Sequence, residues 1–240
     1  MEIAGSIALV TGANRGMGRH FVTQLLDRGA AKVYATARTP ETITSRRPGV
    51  VALPLDITDP ASITTAAATA TDVTLIVNNA GISTRTNLVT GDLPAIHREI
   101  ETNYFGPLHV IRAFAPTLGR NGGGAILTML SALSWMSHDG ANAYAAAKAA
   151  AWSLTNGVRL ELASQGTLVS GLFVGSVDTD MMAGWDVPKS DPAAVVRTAL
   201  DGLAAGRLEI LADAGTVALK AALSQDPRAL YPQLSTLGTT

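Results

Sequence analysis

The sequence contains no cysteine, and charged residues fill only 15% of its 240 positions. Without cysteine there can be no disulfide, no thiolate nucleophile and no zinc–thiolate site, although the compartment stays open. Aromatic residues are few, at 5%. No apolar run reaches the roughly 18 residues a membrane span needs, so no membrane partner is expected. Eighteen Lys and Arg against nineteen Asp and Glu give a net charge of −1 and no basic footprint for nucleic acid. The four histidines, His20, His97, His109 and His138, lack paired ligand spacing, so no metal site is expected. The first residues, Met1 to Gly5, carry no basic n-region, so the expectation is a cytoplasmic protein without a signal peptide.

What is present is a large apolar fraction. Hydrophobic residues make up 47% of the chain, enough for a sizeable core and too many for disorder. A chain of this length reads most simply as one domain over residues 1–240. Ile7 to Val10 is a short apolar strand running into Thr11-Gly12-Ala13-Asn14-Arg15-Gly16-Met17-Gly18, and an amphipathic helix follows over His20 to Arg28. Strand, glycine turn and helix form a phosphate cradle: glycine lets the backbone approach the anion, and the helix start presents free N–H groups. Lys32 to Ala37 then reads as a second strand and completes a βαβ unit. No acid follows that strand to grip a ribose 2′-hydroxyl. Arg38 stands there instead, with Arg15 inside the turn, and guanidinium groups suit the 2′-phosphate of NADP(H). Two solvent-exposed arginines are the plainer alternative.

The pattern continues along the chain. Val50 to Leu55 reads as a strand ending at Asp56-Ile57, Asp59-Pro60 starts a helix through Ala70, and Val73 to Val77 reads as strand four. Strand four ends in Asn78-Asn79-Ala80-Gly81. Leu93 to Leu118 reads as a long helix broken near Gly106-Pro107, and Ala125 to Leu130 as a buried strand ending at Ser131. Leu168 to Val174, Pro192 to Leu203 and Leu208 to Leu211 supply a strand, a helix and a last strand. Strands alternating with helices, each ending in a polar or glycine-rich patch, imply an α/β fold with ligands at the sheet's carboxyl edge. Tyr144 and Lys148 lie four apart in an alanine-rich helical run and share one face. An ammonium beside a phenol favours the phenolate and would bring its pKa down toward working pH. The pair alone could equally be a solvated surface pair.

Taken together, Thr11-Gly12-x-x-x-Gly16-x-Gly18, Asn78-Asn79-Ala80-Gly81, Ser131, Tyr144 and Lys148 resemble the classical short-chain dehydrogenase/reductase (SDR) family. The resemblance spans about residues 5 to 182 and implies a Rossmann-type doubly wound parallel sheet of about seven strands with helices on both faces. It implies cofactor contacts from Gly12, Asn14, Arg15, Gly16, Met17 and Gly18, from Arg38, Asp56 and Ile57, and from Asn79, Ala80 and Gly81. Gly175, Val177 and Thr179 would meet the nicotinamide side, with Tyr144 and Lys148 at its ribose. Asn103 looks like the family residue that distorts its helix and holds a water linked to the lysine.

The expected chemistry is reduction of a ketone or aldehyde, run in reverse as alcohol oxidation. Tyr144 would give the proton, Lys148 would lower the phenol's pKa, Ser131 would bond the substrate oxygen and Asn103 would relay the proton. Leu133, Met136, Met181, Met182 and Trp185 are the expected walls of a pocket for a small hydrophobic ketone, with residues 181–192 as its lid. Two alternatives remain: a non-catalytic NADP(H)-binding sensor or scaffold, and a reductase for carrier-bound 3-ketoacyl groups. His138 and Asp139 do not make a hydrolase, because the nucleophile elbow is absent. The chain has Val174-Gly175 where the family usually has Pro-Gly, and its tail, residues 213–240, departs from the family's ending. Thr216 to Leu223 reads as helical and Asp226 to Thr240 as irregular. A homodimer or homotetramer is expected, with Ala146, Ala149, Ala150 and Gly157 permitting close helix packing.

Overall fold

Ala8 and Val10 point to one side of the first strand and Leu9 to the other, and all three are fully buried. A strand apolar on both sides needs cover on both sides, which is the condition for a parallel sheet wrapped by helices. The computed structural model describes residues 1–234. Seven strands, β1 (Ile7–Val10), β2 (Lys32–Ala37), β3 (Val50–Pro54), β4 (Leu75–Asn78), β5 (Ala125–Ser131), β6 (Leu168–Val174) and β7 (Glu209–Leu211), form one sheet. Their spatial order is β3-β2-β1-β4-β5-β6-β7, and every pairing is parallel.

Two helices, α1 (Gly16–Asp27) and α6 (Pro192–Ala204), cover one face. Phe21, Val22 and Leu25 of α1 and Val195, Val196, Ala199 and Leu203 of α6 pack there with Ala8, Val10, Leu75, Val77 and Leu127 of the sheet. The opposite face is covered by α2 (Pro60–Thr69), α4 (Gly106–Arg120) and α5 (Asn142–Glu161). Ile63, Val110, Ile111, Phe114, Leu118 and Val158 of these helices close over Leu9, Ile76 and Ile126. α3 (Leu93–Ile100) precedes α4, and the two are joined by a wide π turn over Glu101–Phe105, where the Gly106 N–H reaches the Glu101 carbonyl. The expected break at Gly106-Pro107 thus lies one turn earlier, around Asn103. Gly106 has another role: a Cβ there would come within 2.6 Å of Ile57 Cδ1, so the small residue lets Ile57 pack on the helix.

Helix α1 begins at Gly16 rather than His20, because the extended Arg15 (φ −154°, ψ 176°) ends the turn and caps the helix inside the glycine segment. The tail also corrects its expectation. Residues 226–234 are not irregular throughout, since α7 (Ala214–Ala222) is followed by the short α8 (Pro227–Leu230) and a 3-10 turn over Pro232–Leu234. The expectation for 235–240 lies outside the described residues. Asp213 caps α7 through the Thr216 N–H at 2.8 Å and also accepts the Gly175 N–H at 2.8 Å, tying the tail to the segment after β6.

Farther along α7, Lys220 Nζ lies 4.8 Å from the Trp135 ring centroid and 5.1 Å from that of Trp152, and bridges to Glu209 at 2.8 Å. Trp135 stacks on Phe173 at 4.1 Å, and Trp152 Nε1 donates to Glu209 Oε1 at 3.2 Å. The Tyr231 hydroxyl accepts the Ser137 N–H at 2.9 Å. The tail therefore clasps the chain just beyond Ser131. Lys220→Met keeps most of the stem and removes the charge. Because the ammonium is about a third exposed, the expected loss is about 1 kcal/mol. That lowers the melting temperature by about 2–4 °C. An unchanged melting curve would show that the ammonium is a bystander.

Candidate active site

The strand order reverses between β1 and β4: the chain leaves β1 toward β2 and β3, then returns to β4 and builds the other half. The loops leaving these two strands diverge, and a crevice opens at their carboxyl ends. Its floor is stitched by two residues. Thr11 Oγ1 accepts the N–H groups of Asn79 and Ala80, each at 3.0 Å. Asn79 Nδ2 returns to the Thr11 carbonyl at 2.8 Å and the Gly12 carbonyl at 3.2 Å. Thr11 belongs to the glycine motif but does not line the cleft; its hydroxyl is engaged in pinning two loops together.

The glycine turn fits a dinucleotide. Gly12 and Gly16 occupy left-handed backbone, with φ of +64° and +49°. A Cβ on Gly18 would overlap the Gly12 carbonyl oxygen and lie 2.9 Å from Asn79 Nδ2, so helix and turn meet with no room for a side chain. The cleft above encloses about 870 Å³ and is lined by Gly12, Asn14, Arg15, Gly16, Met17, Arg38, Asp56, Ile57, Asn79, Ala80, Gly81 and Thr179. Five expected cofactor residues do not line it: Tyr144 and Lys148 lie beyond Gly81, and three others are packed away. Gly18 sits behind the turn as packing, Gly175 bonds to Asp213, and Val177 is buried beside Ser190. Arg15 is exposed and stands 3.8 Å from Asp180, whereas Arg38 lines the cleft and forms no ion pair among the described residues.

At the inner end of the cleft, α5, β5 and the π turn bring Tyr144, Lys148, Ser131 and Asn103 together. Lys148 Nζ lies 5.5 Å from the centre of the Tyr144 ring and donates to the Met129 carbonyl at 2.9 Å. Ser131, Asn103 and Lys148 are buried. Gly81 divides the cleft from this cluster: a Cβ there would approach Asn103 Oδ1 to 2.7 Å and Lys148 Nζ to 3.7 Å. One residue that motif and spacing did not single out completes the group. Glu99 is 0% exposed, accepts from Asn103 Nδ2 at 2.8 Å, and receives both the N–H and the hydroxyl of Thr84. Its only sequence signal is its position one helical turn before Asn103.

Burial governs the charges here. It draws the Lys148 ammonium down against the opposing pull of the Glu99 carboxylate, leaving it at about 8. Burial likewise pushes Glu99 above its ordinary value, against the Thr84 donors, the Lys148 charge and the Asn103 amide. The Tyr144 phenol is held well above its ordinary value, first by burial and then by the Glu99 carboxylate, while the Ser131 hydroxyl opposes the rise. This reverses the direction expected from Lys148 alone. The ammonium lies over the ring face rather than at the phenol oxygen, and desolvation of the phenolate outweighs it.

The expected substrate walls are only partly assembled. Met181 lines the cleft, but Leu133, Met136, Met182 and Trp185 are not among its lining residues. Leu133 and Met136 belong to the segment that turns toward the tail. Trp185 meets His138 edge-on at 5.8 Å and carries the Arg85 guanidinium over its ring at 5.7 Å. Arg85, in left-handed backbone at φ 55°, donates to the Ala183 carbonyl and so straps this segment across the mouth. The segment's base is fixed by the Val177–Ser190 bridge. His138 is exposed; its ring bonds the Asp139 carbonyl at 2.7 Å and meets Trp185, and among the described residues it makes no hydrogen bond to Ser131.

Comparison with known proteins places this geometry. The family model described as short chain dehydrogenase matches residues 6–189. A 3-oxoacyl-(acyl-carrier-protein) reductase, FabG of Escherichia coli strain K12, is 36% identical over 190 residues, covering 75% of this chain and 77% of that protein. The 1-deoxy-11-beta-hydroxypentalenate dehydrogenase of Streptomyces avermitilis is 30% identical over 203 residues, covering 79% and 75%. A short chain dehydrogenase from Burkholderia cenocepacia J2315, solved in complex with NADP, superposes with a TM-score of 0.94 at 38% identity, over 98% of this chain and 100% of that one. No helix among the described residues is long and apolar enough to cross a membrane.

The crowding at Gly18 is directly testable. Gly18→Ala should cost about 1–3 kcal/mol of folding stability and weaken nicotinamide-dinucleotide binding as the turn is forced open. Chemical denaturation and fluorescence titration check it, and wild-type values in both would mean the turn has slack.

Proposed function

The chain belongs to the short-chain dehydrogenase/reductase family, and we propose from that premise that it is an NADPH-dependent carbonyl reductase acting on a small hydrophobic ketone or aldehyde. The observation that carries this reading is the placement of Tyr144 and Lys148 on one face of α5, across from Ser131 at the carboxyl end of β5 and beside the glycine-lined cleft. When bound, the nicotinamide supplies the hydride. The chain supplies a proton at Tyr144 Oη, a hydrogen bond from Ser131 Oγ to the substrate oxygen, and the Lys148 charge that steadies the phenolate left behind. A phenol held above its ordinary value keeps its proton until a carbonyl oxygen draws it off, which suits the reducing direction. Asn103, packed against Gly81 and Ile82, holds the wall between the cleft and Lys148. The segment 181–192, strapped by Arg85, is the proposed lid.

NADP(H) is preferred because Arg38 faces the cleft at the end of β2 with no acid beside it. Arg15 is a second phosphate ligand, released from its exposed and weak pairing with Asp180. A homodimer through α4 and α5 is the favoured assembly, because their outer faces leave a groove lined by Tyr104, Leu108, Ala150, Ser153 and Gly157. A second reading, reduction of a carrier-bound 3-oxoacyl group, draws on the name of the Escherichia coli relative. A substrate panel separates the two readings. Free ketones against 3-oxoacyl groups on their carrier, followed at 340 nm with both coenzymes, also exposes a sensor that binds NADPH and consumes none.

Two substitutions test the assignments. Tyr144→Phe should lower turnover by about 10²–10⁴-fold with NADPH affinity nearly intact, and near-normal ketone reduction would remove Tyr144 from its role. Arg38→Asp should weaken NADPH relative to NADH by about 10- to 100-fold, the worth of one charge-assisted phosphate bond. A wild-type preference for NADH would overturn the coenzyme assignment.

A further inference from the structure

Glu99 is a carboxylate with no access to water, on a helix packed against α5, and it holds Asn103, whose Oδ1 approaches Gly81 together with Lys148 Nζ. Burying an ionisable group is costly unless its lone pairs are satisfied and its charge is matched. Both conditions are met here. Oε1 takes the Thr84 N–H and, at 2.9 Å, the Thr84 hydroxyl; Oε2 takes Asn103 Nδ2 at 2.8 Å. We infer that Glu99 is a positioning residue of this site, fixing the orientation of the Asn103 amide and supplying the counter-charge for Lys148.

The first half of the inference follows from donor chemistry. An ionised carboxylate only accepts, so it admits only the Nδ2 end of the Asn103 amide. The remaining Nδ2 hydrogen then meets the Ile82 carbonyl at 3.0 Å, and Oδ1 takes the Ile82 N–H at 3.3 Å. With its amide turned over, Asn103 would face the Ile82 carbonyl and the carboxylate with an oxygen, and every one of these bonds would fail. Glu99 also reaches α5 by a second route. Thr84, which it holds, bonds Thr86 through their hydroxyls at 3.0 Å, and the Thr86 carbonyl receives the Ala143 N–H at 3.0 Å, one residue before Tyr144.

The second half follows from charge. α3 packs against α5 and the π turn. From α5 the charged and titratable groups facing Glu99 are Lys148 and Tyr144; from the 82–86 loop the Thr84 N–H and hydroxyl bond it, and Arg85 is turned to the Ala183 carbonyl and the Trp185 ring. On the π turn, Asn103 is neutral and Glu101 is exposed. The carboxylate favours the protonated form of both α5 groups, so removing its charge makes both lose a proton at lower pH.

This rests on reading Tyr144 and Lys148 as the acid and its partner, and the test separates the two ideas. The pH profile of ketone reduction and the ¹⁵Nζ NMR titration of Lys148 in coenzyme-free, lysine-labelled protein are measured for wild type, Glu99→Gln and Glu99→Asp, with Lys148→Arg identifying the signal. Glu99→Gln should move both the alkaline limb and the Lys148 titration down by about one pH unit or more. NADPH affinity at slightly acid pH should be retained. Glu99→Asp keeps a charge one methylene farther back, so its shift should be intermediate. If Glu99→Gln does not fold, the Glu99→Asp shift decides. An unmoved Lys148 signal in the folded variants, with only a lower melting temperature, would reduce Glu99 to a structural residue and overturn the inference. A wild type that turns over no ketone would overturn the proposed function alone, because the Lys148 titration reads the counter-charge without turnover.

Discussion

A parallel sheet covered on both faces leaves only its edges for polar chemistry, and that constraint organises this molecule. Every strand from β1 to β6 sends side chains into apolar layers under helices, so reactive groups collect where the strands end. At the reversal between β1 and β4 the departing loops would drift apart without a tie. Thr11 and Asn79 supply it through side-chain bonds across residues distant in sequence. With the loops tied, Gly18 has no room for a side chain and Gly12 and Gly16 take backbone that favours glycine. The cleft follows from the sheet's topology, and the glycines follow from the cleft.

Inside that edge the electrostatics are built on burial rather than exposure. A lone ammonium at 6% exposure would be expensive, and Lys148 accordingly sits well below a free lysine. It is kept by a backbone carbonyl and by a carboxylate that is itself fully enclosed. Tyr144 shares the same low-dielectric surroundings and is displaced the other way, because its charged form is the anion. The same burial therefore drives acid and cation apart, the phenol up and the ammonium down, each toward its neutral form. A protein can tune such a pair by adding or removing a single enclosed charge.

Around the sheet and the cleft, two long-range ties brace the site. Arg85 straps the 181–185 segment over the mouth, using carbonyl oxygens and the Trp185 face. The tail helix places Lys220 against Trp135, Trp152 and Glu209, and Tyr231 holds the Ser137 N–H. Trp135 and Ser137 lie between Ser131 and Tyr144, so the tail braces the loop joining two residues of the site. Apolar side chains in that loop serve packing as well as any substrate, which is why the cleft lining departs from the hydrophobic pocket read off the sequence.

Much of this was legible in the sequence. Strand positions followed from short apolar runs, and their boundaries fell within a few residues because burial on both faces leaves a continuous signal. Tyr144 and Lys148 could be placed on one helix face from spacing alone, since helix geometry is local. Glycine's role in the turn was readable for the same reason. What spacing could not supply was the environment. The sign of the Tyr144 displacement, the enclosure of Glu99, the pairing of Arg15 with Asp180 and the docking of Lys220 all depend on residues far apart in the chain. The sequence by itself determined the elements, their order and the residue types brought to the sheet edge. Only the tertiary structure decided which groups lose water and which charges face each other, because desolvation and Coulomb energy depend on distances that no local period encodes.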